Sequence, residues 1–219
     1  NGVATDQRGF ARPQNGTVDI GAVELFKDGP MSMIQLAVNP ATDPMGAMKE
    51  LIGAIDIAND DPAATTIKLV CGTYSFSNAH NREYGPNALP PITSDITIEG
   101  NGAVLDSTAT TRLRFFYVSG GLSYNSNTLQ GLPAGKLTLR DLTLKNGKQK
   151  GGNGSGGGAG MGGAIFNQGE LTLERVTLHN NMVSGGSGAI GGGGGGIGQD
   201  AQGNNGGGFG GPPLSWGGM

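Results

Sequence analysis

Carboxylates and arginines spread along the middle of the chain are the residues that could carry out chemistry. They are Asp95, Glu99, Asp106, Arg112, Arg114, Arg140 and Asp141. Clustered carboxylates bind Ca²⁺, and a basic side chain held beside them could transfer a proton. These residues do not have the compact spacing of a metal-binding loop. The sequence therefore predicts no metal site and no catalytic centre.

The single cysteine, Cys71, ends an apolar run that begins at Ile67. One cysteine excludes an internal disulfide, and its apolar neighbours predict a buried structural thiol. A catalytic thiolate needs a nearby base, and neither His80 nor His179 has a spacing that suggests one.

Glycine-rich tracts such as residues 191–196 could be mistaken for phosphate-binding loops. They lack the Lys-Ser/Thr pair of a P-loop and the strand-loop-helix setting of a dinucleotide fold, so we expect no cofactor. Two interpretations of these tracts stay open. They are either flexible linkers or segments in which glycine allows backbones to pack closely.

The composition excludes several protein classes. Glycine supplies 44 of 219 residues, charged residues supply 14% and the net charge is −3. Average proteins contain about 7% glycine and about 25% charged residues, so an ordinary helical globule is excluded. Because there is no basic stripe and no apolar run of bilayer length, we expect neither a nucleic-acid partner nor a transmembrane segment. The densest basic patch, Lys145, Lys148 and Lys150, is interpreted as a solvated loop.

One amphipathic helix is predicted over residues 43–60. Thr42 or Asp43 can cap it, and Pro44 suits its first position. Its apolar residues follow the spacing of one helical face, namely Met48, Leu51, Ile52, Ile55 and Ala58. Short strands separated by turns are predicted at residues 31–39, 66–70, 72–76, 96–99, 103–105, 115–118, 137–139 and 142–144.

Residues 136–147 and 170–181 repeat one pattern, Leu-Thr-Leu-x-x-Leu-Thr-Leu in the first copy, at an offset of 34 residues. Repeated short strands at a fixed period predict stacked turns with leucines inside and threonines outside. Asn146 and Asn180 fall at corners, where asparagine tolerates a left-handed backbone.

A pair of charged residues occupies the same place in both copies with the signs exchanged. Arg140-Asp141 in the first copy becomes Glu174-Arg175 in the second. This exchange predicts a solvated corner with stacked ion pairs.

Residues 89–102, 136–144 and 162–169 resemble the turns of bacterial surface proteins of the polymorphic-outer-membrane-protein-like and pectate-lyase-like group. The helix with residues 65–74 is similar to their CSLREA-type amino-terminal cap. The resemblance implies an all-β right-handed parallel β-helix, a solenoid with one short amphipathic capping helix and Gly-rich loops.

Residues 6–13 and 19–25 look like the segment that normally ends such domains, so the tail motif precedes the cap. The chain then straddles a boundary between tandem domains, is circularly permuted, or docks its first segment on the open end of another copy. In the third case the assembly or capping residues are Asp6, Arg8, Arg12, Asp19, Ile20, Val23, Glu24 and Leu25.

We therefore expect a docking strand segment over 1–29, a cap over 30–76, β-helix coils over 77–190 and a Gly-rich terminal segment over 191–219. Asn1 is not an initiator methionine, so a processed or excised product is expected. The expected function is that of a secreted or cell-surface structural protein, not an enzyme. Its partners are other copies of itself, joined head to tail into a filament through residues 1–25.

The alternative is a carbohydrate-active β-helix, either a polysaccharide lyase or a glycan-binding adhesin module. Such lyases use Asp clusters for Ca²⁺ and an Arg or Lys as base. Surface glycans would bind on aromatic platforms, for which Tyr74, Tyr84, Tyr117 and Tyr124 are candidates.

Overall fold

The computed structural model describes residues 33–125, 128–188, 192–202 and 207. Within this part the chain is mostly β, with one helix, α1 (Pro44–Asp60). The strands are β1 (Met33–Gln35), β2 (Thr65–Lys68), β3 (Thr73–Phe76), β4 (Asp95–Glu99), β5 (Val104–Ser107), β6 (Phe116–Val118), β7 (Ser123–Asn125), β8 (Thr128–Gln130), β9 (Lys136–Arg140), β10 (Thr143–Lys145), β11 (Lys148–Lys150), β12 (Ile165–Asn167), β13 (Glu170–Glu174), β14 (Thr177–His179) and β15 (Met182–Ser184).

Helix α1 begins and ends as its sequence predicts. Asp43 is its N-cap, and the Asp43 carboxylate accepts a hydrogen bond from the Gly46 backbone N–H at 2.8 Å. Leu51, Ile55 and Ala58 are buried against β2, β3 and β4, whereas Met48 and Ile52, which were assigned to the same face, are only half-buried. The helix described here is not long and apolar enough to cross a membrane.

Two parallel sheets carry most of the strands. The larger has the order β1-β2-β4-β9-β13 and the smaller the order β14-β10-β5-β3. Two further parallel pairs, β11 with β15 and β6 with β12, extend the same arrangement, and β7 pairs with β8 in an antiparallel hairpin. Consecutive strands of each sheet come from successive passages of the chain, so one passage lies directly upon the next.

The predicted repeat sets the register between strands. Lys136 pairs with Glu170 in the larger sheet, and Thr143 pairs with Thr177 in the smaller one. The same offset continues into strands that the sequence analysis did not identify, since β11 pairs with β15 in this register. We call residues 136–150 the penultimate unit and residues 170–184 the last unit.

Inward-facing apolar residues form ladders across the sheets. Ile67, Ile98 and Leu139 are register partners in the larger sheet and are fully buried. Tyr74 and Leu105 form a similar buried ladder in the smaller sheet. Because side chains alternate between the two faces of a strand, the threonines between the leucines lie on the face opposite the ladders. Thr138 is nevertheless buried, so the prediction of exposed threonines does not hold at this position.

The asparagine corners also form as predicted. Asn146 and Asn180 have φ values of 62° and 52°, in the left-handed region. The Asn146 side chain donates a hydrogen bond to Asp106 Oδ1 at 2.7 Å. Asparagine tolerates this backbone, so both corners form at a residue other than glycine.

Two predictions are wrong. Cys71 is exposed, because the chain turns at Gly72, whose φ is 147°, and the alternation that buries Ile67 stops there. The patch Lys145, Lys148 and Lys150 does not lie in a loop, since its residues belong to β10 and β11 and are half-buried. Strand β11 could not be predicted from apolar alternation, because its inward-pointing central residue, Gln149, is polar.

The described glycines pack backbone against backbone. Gly152 donates a hydrogen bond to the Gly196 carbonyl at 2.7 Å, and Gly195 donates one to Gly156 at 2.7 Å. A Cβ atom at Gly152 would overlap the carbonyl oxygen of Gln199. Only glycine permits such an approach, so of the two interpretations left open these glycines follow the close-packed one.

Candidate assembly surface

The last unit exposes the apolar side chains that the penultimate unit buries. Leu173 is 42% exposed, Leu178 53%, Met182 61% and Val183 53%. Leu139 and Leu144, the register partners of Leu173 and Leu178, are buried. Gln149 opposite Val183 is buried as well, whereas Lys148 opposite Met182 is half-buried. We call these four exposed residues the open end. Several exposed apolar side chains on one unit are typical of an interaction site.

Strands β13, β14 and β15 form the rim of the open end. Each is the outermost strand of its sheet or pair within the described part of the chain. An edge strand presents backbone N–H and C=O groups that can pair with another strand. The open end therefore combines apolar side chains with backbone groups that can form hydrogen bonds.

The opposite end of the described stack carries helix α1. Helix α1 packs across β2, β3 and β4 and buries Leu51 and Ile55 completely. Strand β1 lies at one edge of the larger sheet and β13 at the other. The two described ends of the stack therefore differ, since one carries a helix and the other carries the exposed apolar residues of the open end.

The exchanged charges at the corner form stacked ion pairs, as predicted. Arg140 Nε donates to Glu174 Oε2 at 2.8 Å. Arg175 Nη2 donates to Asp141 Oδ2 at 2.8 Å. The Arg175 guanidinium also lowers the pKa of the Asp141 carboxyl, because the hydrogen bond favours its ionised form.

The candidate catalytic residues are occupied by structural contacts. All except Arg114 form ion pairs, which are Asp95–Lys136, Glu99–Lys68, Asp106–Lys145, Arg112–Asp200, Arg140–Glu174 and Asp141–Arg175. Among the residues described, no group of three or more His, Cys, Asp or Glu side chains could hold a metal ion.

Arg114 is fully buried and holds a loop in place. Its Nε donates to Asn87 Oδ1 at 2.5 Å, its Nη1 donates to the Met161 carbonyl at 3.0 Å, and its guanidinium lies 4.9 Å from the centre of the Phe166 ring. Burial lowers the pKa of Arg114 to about 10. The contacts are those of a structural anchor.

The candidate tyrosines whose side chains are described, Tyr74, Tyr84 and Tyr117, do not assemble into an exposed platform. Tyr74 is buried and its hydroxyl donates to a backbone carbonyl at 3.1 Å. Tyr117 is buried as well and donates to Gln168 Oε1 at 2.9 Å. Tyr84 packs beside Tyr117 with 5.1 Å between ring centres, and the side chain of Tyr124 lies outside the described residues.

A groove of about 670 Å³ has a basic lining that includes Arg82, Arg112, Lys148 and Lys150. Arg112 is already bound to Asp200 at 2.6 Å and to two backbone carbonyls. Lys148 donates to a further carbonyl at 3.4 Å. These two cations are thus engaged in holding the fold together.

The predicted assembly residues, Asp6, Arg8, Arg12, Asp19, Ile20, Val23, Glu24 and Leu25, lie outside the described residues. The sequence analysis did not identify the open end. Its signal was the repeat itself, because residues 170–181 repeat the leucines of residues 136–147 and form the outermost strands of the two described sheets. Comparisons of the chain with protein-family models, with curated proteins and with solved structures find no match.

Proposed function

We propose that this chain is a secreted or cell-surface structural protein, folded as a right-handed parallel β-helix, that assembles head to tail with copies of itself. One observation carries the proposal. The apolar ladders that are buried at Leu139 and Leu144 continue into the last unit, where Leu173 and Leu178 are exposed. Fully burying one such side chain contributes roughly 1.5–3 kcal/mol, so covering the open end favours association.

The amino-terminal segment, residues 1–29, is proposed to cover the open end. Residues 18–26, Val-Asp-Ile-Gly-Ala-Val-Glu-Leu-Phe, carry the apolar side chains of a strand. Added along β13, β14 or β15, this segment would bond to the edge backbone and place apolar groups over the open end, in the manner of β-strand addition.

The position of β1 favours a second copy as the source of that segment. Strand β1, the described element nearest to that segment in the sequence, lies at the edge of the larger sheet opposite β13. In a head-to-tail stack, the β1 end of one copy faces the β13 end of the next, so the segment need not run back along its own sheet. Such an interface joins two different surfaces and does not close on itself, which generates a filament.

Sedimentation velocity of the full chain over a hundredfold range of concentration, with electron microscopy, tests the proposal. We expect species larger than a dimer at high concentration and elongated particles in micrographs. Leu178→Asp and Val183→Asp should each give a monomer, because a charge placed in the contact would lose its hydration.

Leu122→Asp is the matched control. Leu122 is 48% exposed in the loop between β6 and β7, outside the last unit and outside β1 and α1, and its replacement should leave assembly unchanged. A wild-type chain that stays monomeric at high concentration would contradict the proposal. So would equal loss of assembly in the control and the Leu178 variant.

A further inference from the structure

Charged residues at both ends of three neighbouring strands alternate in sign from strand to strand. The first and fifth residues of β4 are Asp95 and Glu99, and those of β9 are Lys136 and Arg140. The first and fifth residues of β13 are Glu170 and Glu174, and they are in register with those of β9 and β4. Two acids, two bases and two acids thus follow one another across the outer face of the larger sheet.

The alternation is built from direct contacts. Lys136 Nζ lies 2.9 Å from Asp95 Oδ2, and Arg140 Nε lies 2.8 Å from Glu174 Oε2. The hydrogen bond to Asp95 raises the pKa of Lys136, and the negative charge of Glu170 raises it further. Opposite charges on directly paired strands stabilise a sheet, and like charges destabilise it.

The alternation ends on two acids at an edge. Within the described part of the chain, Glu170 and Glu174 have a strand on one side only, which is β9. A further parallel strand beside β13 would bring its own first and fifth outer residues next to these carboxylates. To continue the alternation, both residues must be cations, four positions apart.

The sequence contains very few such pairs. Of its 14 lysines and arginines, members are separated by four positions in only two places. One is Lys136 with Arg140, which already lies on the other side of β13. The other is Arg8 with Arg12, in the amino-terminal segment.

We propose that Arg8 and Arg12 of a second copy bind Glu170 and Glu174, with residues 8–12 added in parallel along β13. This inference rests on the proposed head-to-tail assembly and specifies its register. Gly9 and Ala11 then lie over the inward leucines of β13, and Phe10 lies beside the outward threonine.

The corner that follows fits the end of such a strand. In the two preceding strands of the stack, this corner is occupied by Asp141 and Arg175, with φ values of 51° and 54°. In the added strand, the residue at this corner would be Pro13, whose ring holds φ near −65°. The added strand therefore ends at Arg12, as expected for the last strand of a stack.

Charge reversal with mixing tests the pairing in the full-length chain. Arg8→Glu with Arg12→Glu forms one variant, and Glu170→Lys with Glu174→Lys forms the other. Each alone should associate at least about tenfold more weakly than wild type, because like charges then meet at the contact. A 1:1 mixture should regain wild-type association, since each variant carries the complement of the other.

Three results discriminate between the possibilities. If the wild type assembles and the Arg8/Arg12 variant assembles equally well, the register is overturned while head-to-tail assembly stands. If both variants fail and the mixture fails too, direct pairing is overturned. If the wild type does not assemble, the proposed function itself fails.

Two controls keep the test independent of folding. Lys27→Glu reverses the one other cation of the amino-terminal segment and should not change assembly. Glu170→Gln with Glu174→Gln avoids placing lysines beside Lys136 and Arg140 and should still weaken association. Far-ultraviolet circular dichroism establishes that each variant is folded before association is measured.

Discussion

Leu144 and Leu178 are register partners in neighbouring strands, yet Leu144 has no exposed surface and Leu178 is 53% exposed. The two residues share a repeat position, a backbone conformation and an inward orientation. The difference is that the last unit covers Leu144, whereas within the described part of the chain no strand lies beyond Leu178. One position of the repeat thus serves the core in one unit and forms a surface in the next.

This contrast predicts opposite consequences for the same substitution. Leu144→Ala should lower the free energy of unfolding by about 2–5 kcal/mol, because it leaves a cavity in a packed core. Leu178→Ala should change monomer stability by less than about 1 kcal/mol. Urea denaturation at low protein concentration measures both, and equal losses would contradict the assignment of Leu178 to an uncovered surface.

The glycine packing predicts that substitutions in one tract have unequal effects. Gly152→Ala should destabilise the fold by about 1–3 kcal/mol, because its Cβ would meet the Gln199 carbonyl. Gly156→Ala is the matched control, since a Cβ there has open space. Thermal denaturation compares the two variants, and similar melting temperatures would mean that the tracts do not pack as described.

Arg114 should be the most sensitive cation of the described chain. Arg114→Met keeps the side-chain volume but leaves the Asn87 carboxamide oxygen and the Met161 carbonyl without their donor. We expect a loss of about 3 kcal/mol. Arg82→Met, at an exposed position, should cost little. Chemical denaturation measures both variants, and a stable Arg114 variant would refute the role of anchor.

Acid should release the glycine-rich segment that contains Asp200. The Arg112 guanidinium holds the pKa of Asp200 below its ordinary value of 3.8. A lowered carboxyl pKa in the folded state stabilises the fold above pH 3.8, and the stabilisation is lost as the pH falls through the lowered pKa. Amide hydrogen exchange at residues 192–202 should therefore accelerate as the pH falls through that range, relative to the exchange of β9.

Asp200→Asn isolates this effect. The variant should show faster exchange at neutral pH and no further acceleration, beyond that of β9, as the pH falls. If wild type and variant respond alike to acid, another group carries the pH dependence.

The sequence predicts those parts of the fold that local rules determine. The 34-residue offset predicts the register of β9 with β13, because a repeated pattern can stack only in phase. The exchanged charges of Arg140 and Glu174 predict their ion pair, since the offset places them side by side. Helix α1 follows from its cap and its apolar spacing, both of which act within a few residues.

Other features depend on contacts that no local pattern records. Arg114 is held by residues from distant parts of the chain, so its burial could not be read from its neighbours in sequence. Cys71 lies just before a glycine turn that ends the alternation of β2. The exposure of the open end could not be predicted locally, because it depends on which unit is the outermost one of the described stack.

The alternating charges of the larger sheet limit how such a protein could lengthen in evolution. Duplicating one unit alone would set Glu170 and Glu174 against copies of themselves, and like charges on paired strands destabilise a sheet. Duplicating two adjacent units together would preserve the alternation at both junctions. Tandem expansion in this lineage is therefore expected to occur in steps of two units, and odd-numbered gains should require compensating charge changes.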